Sequence, residues 1–138
     1  MRQPFFVLIV LISALFIHGC KNNNVDVKRS LIGNWELRKT ISVLNKTSKF
    51  VSSGNGNILV FTSTNYKQFS NGSMISMGRY KIIEDTVKSI GTISSGIVFK
   101  PEIYAWDTTK YFIRFEKNQL IIAVDTVGAL TRFYERLN

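Results

Sequence analysis

From Trp35 to the C-terminus the chain alternates apolar and polar residues, with turn-forming residues recurring at short intervals. In "WELRKTISVL", Trp35, Leu37, Ile41 and Val43 fall on one face, interrupted by Lys39, and Glu36, Arg38, Thr40 and Ser42 on the other. A period of two marks a half-buried strand. "SSGNGN" closes a loop before the strand "ILVFT". "NYKQF" and "MISMGRYKII" flank Asn71-Gly72, a pair suited to a type I′ hairpin because both residues tolerate positive φ. Glu84-Asp85 predicts a turn into "TVKSIGTI", and Ser94-Ser95-Gly96 another before "IVFKPEIY", where Pro101 suggests an edge or bulge. "YFIRFE", a Lys117-Asn118 turn and "LIIAVD" make a further hairpin, and "TVGA" leads to the last strand, "LTRFYERL". Ahead of the first strand, Asp26 as N-cap and Gly33 as terminator predict one helical turn.

Eight or nine strands joined by tight hairpins leave no room for crossover helices, so the fold class expected is all-β, an antiparallel meander. About eight such strands bury their apolar face most easily by closing into a small up-and-down barrel, which also removes exposed edges. A two-sheet sandwich is the alternative, because the same strand pattern would serve it.

The N-terminus follows a different pattern. After Arg2, Phe5 to Ile17 is an unbroken run of apolar or small residues. Thirteen residues are too few to span a bilayer as a helix, which takes about twenty, but they suit the apolar core of a signal peptide. The run ends in Ile17-His18-Gly19-Cys20, which resembles the lipobox of bacterial lipoproteins, although His18 stands where that pattern usually has Ala, Ser or Thr. The resemblance implies a lipoprotein signal peptide over 1–19, acylated Cys20 with a polar tether over 20–30, and a folded domain over 31–138. An uncleaved signal anchor is the other reading.

His18 and Cys20 are the only histidine and cysteine in the chain. They lack the further ligands that a zinc site needs. Cleavage before Cys20 discards the histidine and places lipid on the cysteine. The mature domain is then left without the means for a Ser-His-Asp triad, a Cys-His pair, a zinc site or a disulfide. No cofactor is expected. The mature chain would carry 17 basic against 9 acidic side chains. For an exported protein that excess points to anionic headgroups or envelope polysaccharide rather than nucleic acid, or simply to a soluble basic surface.

Two stretches at opposite ends, with one between, carry a family resemblance. "LIGNWEL" matches the Gly-x-Trp signature that opens the first strand of lipocalins, "GRYKI" resembles a mid-chain Gly-x-Tyr strand, and "GALTRFYERL" resembles a closing strand. Together they resemble the lipocalin-like lipoproteins common in Bacteroidetes. The resemblance implies that Gly33 and Trp35 close one end of the barrel, with Arg132 or Arg136 laid over the indole. It also implies a cavity for one small apolar or amphipathic ligand, with Leu37, Ile41, Phe61, Tyr80, Phe99, Phe115 and Phe133 as candidate walls. The alternative is that these aromatics meet at the axis and fill it. The Thr-Asp-Tyr motif and disulfide cysteines of larger lipocalins are absent.

Asp85-Thr86-Val87, Asp107-Thr108-Thr109 and Asp125-Thr126-Val127 fall at predicted turns, where Asp ordinarily accepts backbone N–H bonds. They also resemble the O-glycan acceptor of exported Bacteroidetes proteins, which would place glycans on Thr86, Thr108 or Thr126. Glu84 and Asp85 are adjacent and so point apart on a strand, a poor acid–base pair. The expected function is non-catalytic binding of a small apolar or amphipathic ligand by a lipid-anchored protein at the outer membrane, facing the periplasm. A filled barrel that binds another envelope protein or a glycan is the alternative.

Overall fold

The structure, a computed structural model, describes residues 23–87, 92–103, 109–124, 126 and 128–138. The expected signal peptide over 1–19, Cys20 and Thr108 lie outside the described residues. One helix, α1 (Asn23–Leu31), precedes nine strands: β1 (Gly33–Ser42), β2 (Thr47–Phe50), β3 (Ile58–Phe61), β4 (Asn65–Ser70), β5 (Ser73–Val87), β6 (Thr92–Pro101), β7 (Lys110–Glu116), β8 (Gln119–Val124) and β9 (Leu130–Arg136). The helix takes up most of the stretch expected as tether and is longer than the single turn predicted. Asp26 lies in its first turn, not at its cap, and Lys28 and Arg29 lie in its last, signs that suit the helix dipole.

Every pairing is antiparallel. Strands β3 to β9 follow one another, and β1 joins β3 on one side and β9 on the other, which closes an eight-stranded barrel. The extra strand, β2, folds back on the second half of β1. Asn71 and Gly72 have φ of 48° and 80° and turn β4 into β5, as the sequence predicts, and Lys117 at 53° opens the β7–β8 turn.

Two departures from the sequence expectation shape the site. The first is in β1, where the register against β9 slips between Leu37 and Lys39. The extra residue, Arg38, shifts the alternation by one, so residues beyond it change face. Before the bulge β1 pairs with β3; after it the same edge pairs with β2. The loop between β2 and β3 satisfies the backbone at this changeover. Val51 N–H donates to the Arg38 carbonyl at 2.8 Å, the Asn55 amide to the Leu37 carbonyl at 2.8 Å, and Leu37 N–H to the Asn57 carbonyl at 2.9 Å. The "SSGNGN" loop is therefore a brace for the bulge.

The second is in β5, which runs straight through Glu84-Asp85 instead of turning there. Glu84 pairs with Ser95 and Asp85 with Ser94, so both predicted turns lie inside one long hairpin. Asp85 is also held by the Lys110 ammonium of β7 at 2.6 Å. Cross-strand pairing outweighs the local turn preference of these small and acidic residues. The core fills the barrel interior, from Leu31, Trp35 and Phe61 near α1 to Ile97, Ile113, Leu120 and Tyr134.

Candidate binding site

Inward-facing positions follow from the register. Trp35 pairs with Arg136, Leu37 with Tyr134, Phe61 with Tyr66, Tyr80 with Phe99, and Phe115 with Leu120. Of the candidate wall residues, Phe61 and Tyr80 are buried in the core, and Leu37, Phe99 and Phe115 pack against it. Ile41 and Phe133 do not line the interior. Both are on the outer face: Ile41 lies beyond the bulge and pairs with Thr131, while Phe133 alternates with the inward-facing Arg132 and Tyr134 along β9 and pairs with Lys39. The Lys39 ammonium sits 5.5 Å from the Phe133 ring centre and 4.9 Å from that of Phe50.

The end of the barrel nearest α1 is plugged. Arg136, not Arg132, covers Trp35, with its guanidinium carbon 4.4 Å from the ring centre. Arg136 Nη1 also donates to the Ile32 carbonyl at 2.8 Å and Nη2 to that of Ser30, and Trp35 Nε1 donates to the Leu31 carbonyl at 2.7 Å. These donors satisfy carbonyls at the C-terminus of α1 that have no partner within the helix. Gly33 is required beside them: its φ is 140°, and a Cβ there would lie 2.7 Å from Arg136 Nη1. The expected roles of Gly33, Trp35 and Arg136 at one end of the barrel thus have a common geometric basis.

Aromatic rings fill the middle. Phe61 meets Tyr80 at 5.3 Å and Phe99 at 6.1 Å, and Phe99 meets Tyr66 at 4.7 Å and Tyr111 at 5.5 Å. Ring contacts of this kind, most of them edge-on, are favourable beyond the area they bury. The axis is therefore packed over most of its length, as in the alternative reading of these aromatics.

The packing stops short of the end away from α1. A cavity of about 140 Å³ lies among Tyr66, Gln68, Ser76, Phe99, Tyr111 and Arg132. A second space of about 120 Å³ adjoins it and shares Leu59, Gln68, Arg132 and Tyr134. Among the described residues no hydrogen bond or ion pair holds the Arg132 guanidinium, and no Asp or Glu lines either space. The Tyr66 hydroxyl is engaged with Ser76 Oγ at 2.8 Å. Burial pushes the Tyr134 phenol up to about 12, partly offset by the nearby Arg132 charge and helped by Tyr111, so at neutral pH it is a donor. Around this mouth the strand ends carry exposed apolar side chains: Leu44 after β1, Met74 and Ile75 opening β5, and Ile103 after β6.

Sequence reasoning placed Arg132 with the plug and missed Tyr66, Gln68, Ser76, Tyr111 and Tyr134. The signal was present in "TRFYER", where Arg132, Tyr134 and Arg136 share one face. Only the pairing of Arg136 with Trp35 shows which arginine stacks and which stands free in the cavity.

The acidic groups among the described residues lie elsewhere. Glu36, buried on the outer face, meets Arg38 Nη1 at 2.8 Å, and Glu135 meets Arg38 Nε at 3.1 Å. Glu116 meets Arg114 at 2.7 Å. Among the described residues no group of three His, Cys, Asp or Glu could hold a metal ion, and no helix is long and apolar enough to cross a membrane. Thr86 is exposed within β5 rather than at a turn, and Thr126 is exposed at a bend. No protein-family model, no curated protein and no solved structure matches the chain.

Proposed function

We propose that this protein is an envelope lipoprotein, anchored through Cys20 and facing the periplasm from the outer membrane, whose lipocalin-like barrel binds one end of a small amphipathic molecule without catalysis. The observation that carries the binding is the cavity opposite α1, where a packed aromatic axis gives way to a space lined by both ring edges and polar groups. Its volume is below the roughly 300–1,000 Å³ of pockets that engulf a whole ligand, so most of the bound molecule lies outside it, against the apolar rim.

The anchor rests on the apolar run from Phe5 to Ile17 and the cysteine that follows. A tether at Cys20 reaches the barrel through α1, which puts the plugged end towards the membrane. Lys28, Arg29 and Lys81 surround a recess of about 470 Å³ on that side, a sign of charge that suits anionic headgroups. The cavity mouth then faces water, where an amphipathic molecule would be met. Non-catalytic binding is supported by the placement of Glu36, Glu135 and Glu116, each paired with an arginine on the outer face and none in the cavity. Exposed Thr86 and Thr126 stand as acceptors for O-glycans.

Native mass spectrometry of the protein purified gently from its own host's membranes tests the reading. The expected result is the diacyl or triacyl mass on Cys20 plus a defined mass released by organic solvent. A chain that stays empty after incubation with fatty acids and envelope lipids would transfer the apolar rim to the second reading, a surface for another envelope protein or a glycan. A polypeptide mass without hexose increments would remove the glycans.

A further inference from the structure

We propose that the cavity selects a carboxylate: an amphiphile with a single anionic head enters head first onto Arg132, and its apolar tail lies across the rim. The inference rests on the binding function proposed above and names its ligand class.

Several observations converge on it. Arg132 projects from β9 into both adjoining spaces and spends none of its donors on the described residues. An arginine that only lined a surface would be free for trivial reasons, but this one shares the barrel interior with Leu59, Tyr134 and Ile122, all buried. A charge brought that close to low dielectric surroundings strengthens whatever anion it meets. The planar guanidinium fork matches the two oxygens of a carboxylate, and one positive charge balances one negative.

Neutral donors stand next to it. The Gln68 amide and the Tyr134 hydroxyl border the same spaces and have no hydrogen-bond partner among the described residues. A carboxylate has lone pairs for all three groups, whereas an ammonium would meet a like charge and an alcohol would leave the guanidinium unmatched. Among the described residues no acidic side chain lines the cavity to compete.

Size and polarity set the direction of entry. A space of about 140 Å³ equals the liquid volume of roughly four or five waters, enough for a head group and a few carbons. The exposed Leu44, Ile75 and Ile103 outside the mouth receive the remainder. A tail-first pose would bury the chain beside an uncompensated guanidinium and leave the apolar rim in water.

Isothermal titration of the intact, lipidated protein in nanodiscs at pH 7, blanked against empty discs, distinguishes the two levels of the argument. The probes are hexanoate, hexanol and hexylammonium, which share one tail. Hexanoate is expected to bind about tenfold or more tightly than hexanol, and hexylammonium to show no binding. Arg132→Gln is expected to remove the preference for hexanoate while leaving hexanol unchanged, with Arg132→Lys intermediate. Hexanol matching hexanoate in the wild type, or hexanoate unaffected by Arg132→Gln, overturns carboxylate selection and leaves amphiphile binding standing. Absence of binding by all three probes overturns both.

Discussion

The Arg136 guanidinium lies 4.4 Å over the Trp35 ring while the same group donates to the Ile32 and Ser30 carbonyls at the end of α1. One side chain thus joins the last strand, the first strand and the helix. Arg136→Ala removes both bonds and the ring contact, and is expected to cost about 2–3 kcal/mol in urea unfolding. Gly33→Ala, which forces a Cβ to 2.7 Å from that guanidinium at a φ of 140°, is expected to cost about 1–3 kcal/mol. Combined with Arg136→Ala, the glycine substitution loses its steric part. The double mutant should therefore be less destabilised than the sum of the singles, and strict additivity would disprove the contact.

Phe61 and Phe133 separate the interior from the outer face. Phe61 is 2% exposed and meets two rings, so Phe61→Ala is expected to cost about 3–5 kcal/mol. Phe133 meets the Lys39 ammonium on the outer face, and Phe133→Ala should cost about 1 kcal/mol or less. Chemical denaturation of both variants measures the difference. Equal losses would mean that Phe133 faces the core, and that β1 beyond Arg38 does not pair with β9 as Lys39 opposite Phe133.

Removing Arg38 strands a buried acid. Glu36 is 2% exposed and its carboxylate faces Arg38 Nη1. Arg38→Met is expected to destabilise by about 3 kcal/mol, since the unpaired charge stays behind. Adding Glu36→Gln should recover part of that loss. A double mutant no more stable than Arg38→Met would show that the arginine acts through the bulge alone.

Tyr134 predicts a loss of stability in alkali. Its phenol is pushed up to about 12 by burial, against 10 in the unfolded chain. Below pH 10 both states hold the proton and the contribution is complete. Between pH 10 and 12 the unfolded tyrosine ionises first, so stability falls as pH rises, by on the order of 2 kcal/mol over the window. Tyr134→Phe should lack this component when unfolding midpoints at pH 9 and pH 11.5 are compared. A variant that loses as much as the wild type would place the alkaline sensitivity elsewhere, for instance at Tyr80, which burial also raises.

Much of the barrel is legible in the residues themselves, because short-range chemistry determines it. Short apolar runs rich in Ile and Val, as in "ILVFT" and "LIIAVD", and the positive φ tolerated by Asn71-Gly72 act over a few neighbours, and the strands and hairpins they predict are present. The closing role of Gly33 and Trp35 is expected only from the resemblance of "LIGNWEL" to a lipocalin first strand, not from local chemistry. Tertiary structure alone decided the rest. The bulge at Arg38 depends on a loop some fifteen residues away in the chain, and it moves Ile41 out of the interior without altering any local pattern. Glu84-Asp85 and Ser94-Ser95 read as turns until each is found opposite the other across a ladder. Arg132 and Arg136 are indistinguishable along the strand. Which one plugs the barrel and which stands free in its cavity follows from a register set by pairing with residues about a hundred positions earlier.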